Sequence, residues 1–185
     1  MPTARSPKLD RTAACVLVVD VQEKLIPVMS NWATTEKYVR AMILAARDLG
    51  MPVLATEQYP KGLGTTLASV REALPGPPLV KMHFSCGADP EFAKLLAATG
   101  RKQVIVVGIE THVCVFQTVR DLVGLGYEVY VCADAVTSRF EEHRRVALDQ
   151  MRDLGAVVTS AETAIFDLLH ACGTPEFKRV SPLVR

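Results

Sequence analysis

The sequence predicts an α/β fold: a Rossmann-like open sheet of about six mostly parallel strands, with helices packed on both faces in three layers. Two observations carry this. Apolar runs rich in Val, Ile and Leu recur without polar alternation, as strands covered on both faces require. Between them lie segments whose apolar residues fall three and four positions apart, each closed by a glycine suited to ending a helix.

The first run, AACVLVVD at 13–20, is a strand that stops at Asp20. A helix over TTEKYVRAMILAARDLG, ending at Gly50, returns the chain to a second strand, PVLAT at 52–56. The PGPP stretch at 75–78 is a rigid turn, not a linker, because the apolar pattern resumes at once in PPLVK at 77–81. DPEFAKLLAATG, ending at Gly100, leads to the fourth strand, QVIVVG at 103–108. HVCVFQTVRDLVGLG, ending at Gly126, precedes EVYVCAD at 128–134, and RFEEHRRVALDQMRDLG, ending at Gly155, precedes AVVTS at 156–160.

The 185 residues, 49% of them hydrophobic, suit one domain spanning 1–185 with a sizeable core. Lys and Arg number 21 against 20 acidic residues, with no long block of one sign, so neither nucleic acid nor an anionic membrane is an expected partner. The start, MPTARSPKLDRTAA, is polar, and CVLVVDV after it is too short to span a bilayer. Five cysteines without a CxxC pair read as reduced thiols, which points to the cytoplasm. Cys15, Cys132 and Cys172 are expected in the core.

In an open α/β sheet, ligands bind beyond the carboxyl ends of the strands. Asp20 ends the first run, Lys81 ends the third, and Cys114 follows the fourth within the first turn of a helix opening near Thr111 or His112. Unpaired amides and the dipole at such a helix start favour a thiolate, and a neighbouring ammonium favours it further. Asp20 is placed to take the thiol proton and hand it to a leaving group, while Cys114 attacks a carbonyl carbon and forms an acyl-enzyme. Amides at the elbow, of Cys114 and near Glu110, would hold the oxyanion. Cys86, in HFSCG, is expected near the same edge as a bystander thiol.

The stretches VLVVDVQ, VKMHFSC and above all VVGIETHVCVFQTVRDLVGLGYEVYVCADAVTSR resemble the isochorismatase-like cysteine hydrolases, the superfamily that includes nicotinamidases and N-carbamoylsarcosine amidohydrolases. The resemblance runs from Ala13 through SAETAIFDLL. It implies strand order 3-2-1-4-5-6, a catalytic triad of Asp20, Lys81 and Cys114, and a cis peptide at Ile109 and Glu110 that presents an amide to the oxyanion. It also implies a homo-oligomer, dimer or larger, acting on a small-molecule substrate.

One departure matters. Where nicotinamidases carry Asp and His metal ligands after the second strand, this chain reads TEQYPKGLGTT, without histidine, so neither metal nor cofactor is expected. His83, His112, His143 and His170 have no ligand spacing either, and His112 is expected in solvent at a helix start. TEQYPKGLG, with Gln22 and Phe84, resembles the short branch known as isochorismatase domain-containing hydrolases; Gln22, Glu57 and Phe84 are the expected pocket lining. The functional expectation is hydrolysis of a small amide, imide or similar C–N bond. The alternatives are an isochorismatase-type vinyl-ether hydrolase, an inert binding protein, or a redox sensor with Cys86 resolving Cys114.

Overall fold

The computed structural model describes residues 8–185. Six strands, β1 (Ala14–Val19), β2 (Val53–Gln58), β3 (Leu79–Lys81), β4 (Gln103–Ile109), β5 (Glu128–Thr137) and β6 (Val157–Thr159), form one sheet in the order β3-β2-β1-β4-β5-β6. Every neighbouring pair is parallel. The helices are α1 (Trp32–Asp48), the single turns α2 (Pro60–Leu63) and α3 (Ala68–Arg71), α4 (Pro90–Ala98), α5 (Phe116–Gly124), α6 (Glu141–Asp153), α7 (Ala161–Leu169) and α8 (Pro175–Val180).

The unalternated runs have their explanation in the two cores. Ala14, Val16, Val18, Ile105 and Val107 pack with α1 and α7, whereas Cys15, Leu17, Val19, Val104 and Val106 pack with α4, α5 and α6. Successive residues of one strand thus enter opposite cores, and all of β1 and β4 is buried. Each such Val, Leu or Ile contributes about 1.5–3 kcal/mol by leaving water.

Register places the site. Val19 pairs with Gly108 and Gln58 with Lys81, so the carboxyl ends of β1, β2, β3 and β4 finish side by side. Gly108 has φ 119, and a Cβ there would lie 2.2 Å from the Val19 carbonyl oxygen. Only glycine lets β4 approach β1 this closely.

The structure extends some expectations. β2 continues to Gln58 and β5 to Thr137, past the charged Glu57 and Asp134. Asp134 is tolerated because its carboxylate accepts the Ala161 amide at 2.8 Å, at the start of α7. Helices α7 and α8 go beyond the segments with clear helical spacing; their first turns are capped by the Ser160 and Thr174 hydroxyls. Among the described residues, no helix is long and apolar enough to cross a membrane.

Candidate active site

Asp20 follows β1 with φ 49, a left-handed conformation that few non-glycine residues adopt and that Asp tolerates better than most. Its carboxylate is held at both oxygens: Lys81 Nζ donates to Oδ2 at 2.6 Å, and Thr56 Oγ1 donates to Oδ1 at 2.8 Å. Lys81 gives its other two protons to the carbonyls of His83 at 3.1 Å and Phe84 at 3.0 Å. All three ammonium protons are therefore engaged, as burial of a cation demands.

Burial alone would lower the Lys81 pKa. The Asp20 charge and its hydrogen bond oppose this, and the ammonium is held above its ordinary value.

Cys114 lies in a π-helical turn, Thr111–Val115, that opens into α5, and it is 7% exposed. Asp20 and Lys81 are its charged neighbours. The expected thiolate is not the resting form. Burial first, then the negative charge of Asp20, push the Cys114 thiol up, and the opposing pull of Lys81 is weaker. The resting site is a neutral thiol beside an anchored carboxylate, with the ammonium on one carboxylate oxygen and the Thr56 hydroxyl on the other. Loss of the thiol proton thus awaits a partner that absorbs the new charge.

Cys86 belongs to the same cluster. It is fully buried, with Sγ 3.7 Å from Thr56 Oγ1, and burial followed by the Asp20 charge pushes its thiol up to about 11. Cys15 and Cys132 are buried in the two cores, but Cys172 is exposed, because the apolar face of α7 ends at Leu169.

The Ile109–Glu110 peptide is cis. Ile109 is in the core, and the Glu110 carboxylate accepts from the Arg139 amide and Nε, both at 3.1 Å, which ties the start of the π-helical turn to the loop after β5. His112 is not the solvent-facing residue expected: it is partly buried, its Nδ1 is 3.0 Å from Ser138 Oγ, and its ring centroid is 4.8 Å from that of His143.

The three residues expected to line the pocket have other partners. Gln22 donates to the carbonyls of Gln58 at 3.0 Å and Gly64 at 2.7 Å and accepts the Gln58 amide at 2.8 Å. Glu57 accepts the Thr66 amide at 2.6 Å and hydroxyl at 2.7 Å. Both are buried, and these bonds brace the loop after β2. Phe84 presents its carbonyl to Lys81, and its ring is half exposed.

Thr56 is the site residue that sequence reasoning left without a role. Its place at the end of PVLAT, on the strand beside Asp20, was the available signal.

Residues 14–163 match the family model described as the isochorismatase domain. The chain is 39% identical over 189 residues to the secreted isochorismatase effector Isc1 of Phytophthora sojae, covering 99% of this chain and 90% of that protein. Among solved structures, the MAR1 ribonuclease of Caenorhabditis elegans superposes with TM-score 0.90 at 38% identity, covering 96% of this chain and 92% of that one. The YcaC gene product of Escherichia coli, an octameric hydrolase of unknown specificity, superposes with TM-score 0.85 at 26% identity, covering 92% and 85%. With the six parallel strands in their order and the family match across most of its length, the chain belongs to the isochorismatase family.

Proposed function

We propose that the protein is a cysteine-dependent hydrolase of a small amide, imide or similar C–N bond. The observation that carries this reading is the Asp20 carboxylate, fixed by Lys81 at 2.6 Å and by Thr56 at 2.8 Å beside the Cys114 thiol. As the sulfur attacks the substrate carbonyl carbon, the thiol proton passes to Asp20, so the buried site never holds an uncompensated new charge. The amides of Glu110 and Cys114, at the start of the helix, stabilise the oxyanion. The tetrahedral species collapses with the C–N bond breaking, and Asp20 returns the proton to the departing nitrogen. Water, deprotonated by Asp20, then cleaves the Cys114 thioester, releasing the acid. No cofactor takes part.

Lys81 remains charged throughout and acts on Asp20, not on substrate. With all three protons engaged it has none for a phosphate oxygen. That favours acyl transfer over the phosphodiester chemistry in the name of the nematode relative. The octameric bacterial relative supports a homo-oligomer, and the free thiols support a reducing, cytoplasmic setting.

A panel of small amides and imides tests the reading, with amine release and intact mass followed together. An acyl adduct on Cys114 and loss of turnover in Cys114→Ala are expected. Undiminished turnover in Cys114→Ala would overturn it.

A further inference from the structure

Thr56 and Cys86 form a short buried line of hydrogen bonds ending on the carboxylate assigned above as the base. Thr56 has one hydroxyl proton, and it points to Asp20 Oδ1 at 2.8 Å. The contact of Thr56 Oγ1 with Cys86 Sγ at 3.7 Å must then run the other way, with the thiol as donor. A directed chain results, Cys86 S–H to Thr56 O–H to Asp20, and each bond polarises the next.

β2 also holds Asp20 through the main chain, since the Thr56 carbonyl accepts the Asp20 amide at 3.2 Å. One residue therefore fixes both the left-handed backbone and the carboxylate plane of Asp20. A β-branched side chain suits the task, having few rotamers on a strand. With Oδ2 on Lys81 and Oδ1 on Thr56, the carboxylate is held at both ends and cannot rotate freely.

We propose that Thr56, backed by Cys86, is a positioning residue that orients Asp20 and limits how tightly it holds the proton taken from Cys114. This rests on the hydrolase reading and gives Cys86 a role as hydrogen-bond donor in place of a resolving thiol. The titratable groups facing Asp20 are Lys81 from β3, Cys86 from the loop after β3, and Cys114 from the π-helical turn. Thr56 does not titrate, so its substitution leaves the charge of the cluster unchanged.

The test needs no substrate. Cys114 alkylation by iodoacetamide is followed by peptide mass spectrometry from about pH 4 to about pH 9 in the wild type and in Thr56→Val, Thr56→Ser, Cys86→Ala and Cys86→Ser. Labelling falls off on an acid limb, and above it the rate reads the thiolate left when the Cys114 proton passes to Asp20. Without the Thr56 hydroxyl, Asp20 holds that proton more firmly. In Thr56→Val the limb is expected to move up by about one pH unit and the rate above it to rise. Thr56→Ser is expected to overlay the wild type, Cys86→Ala to move the same way by less, and Cys86→Ser to restore it.

A Thr56→Val limb that overlays the wild type, with only thermal stability lowered, would overturn the proposal and leave Thr56 a packing residue. If Thr56→Val does not fold, Cys86→Ala decides: a shifted limb supports the proposal and an unshifted one overturns it. Failure of the hydrolase reading is separate, since it appears as unchanged amide turnover in Cys114→Ala while these profiles depend on the thiol alone.

Discussion

Lys81 and Asp20 meet at 2.6 Å with neither side chain exposed to solvent, so each is the other's only counter-charge in this contact. Removing one partner strands a charge in the interior, which is more costly than never having had the pair. Lys81→Met is expected to lower stability by about 3–5 kcal/mol in urea unfolding, and the double variant Lys81→Met with Asp20→Asn to recover part of that loss.

Asp20→Asn separates acidity from catalysis. The negative charge that helps to push the Cys114 thiol up disappears while the ammonium that pulls it down stays. Alkylation of Cys114 near neutral pH should accelerate relative to wild type, yet turnover of any amide substrate should fall by about 10²-fold or more for lack of a proton acceptor. Parallel labelling and turnover assays check this; slower labelling together with retained turnover would contradict it.

The buried thiols make the fold sensitive to alkali. Burial is the main cause that raises Cys15 to about 12 and Cys86 to about 11, from an ordinary 9.0. Above that ordinary value the unfolded chain loses these protons while the folded chain keeps them, so stability falls as pH rises. It should be fully present below pH 9.0 and decline from there towards the folded-state values of about 11 and about 12. Melting temperatures across this range provide the measurement, and Cys15→Ala should flatten the decline.

Gly108→Ala tests the close approach of β4 to β1. The added methyl would stand 2.2 Å from a backbone oxygen at a residue with φ 119, where neither side can give way cheaply. A loss of about 3 kcal/mol or more is expected, together with a weaker hold on the chain end that carries Asp20. Stability matching the wild type in thermal unfolding would refute it.

The alternating cores were legible because a strand covered on both faces has to be apolar at every position, as AACVLVVD and QVIVVG are. Asp20, Lys81 and Cys114 were legible because each interrupts or follows such a run at its carboxyl end. Thr56 was not, since a threonine closing a strand looks the same whether its hydroxyl meets water or a buried carboxylate. Gln22 and Glu57 were visible as polar residues near the site, but their partners, Gln58, Gly64 and Thr66, depend on how one loop folds back, which spacing does not encode. The thiol pKa failed for a related reason: sequence names the neighbouring ammonium but not the depth of burial, and burial is the larger effect.

The proposed catalytic ammonium hangs from the three-residue strand β3 at the rim of the sheet, paired on one side to β2, with Val80 54% exposed. A rim of that length holds few backbone hydrogen bonds against opening, whereas β1 and β4 lie in the interior of the sheet. Fraying of β3 would carry Lys81 away from Asp20 while both cores stay packed. Thermal inactivation would then precede global melting, and amide hydrogen exchange at residues 79–81 would run ahead of that in β1 and β4.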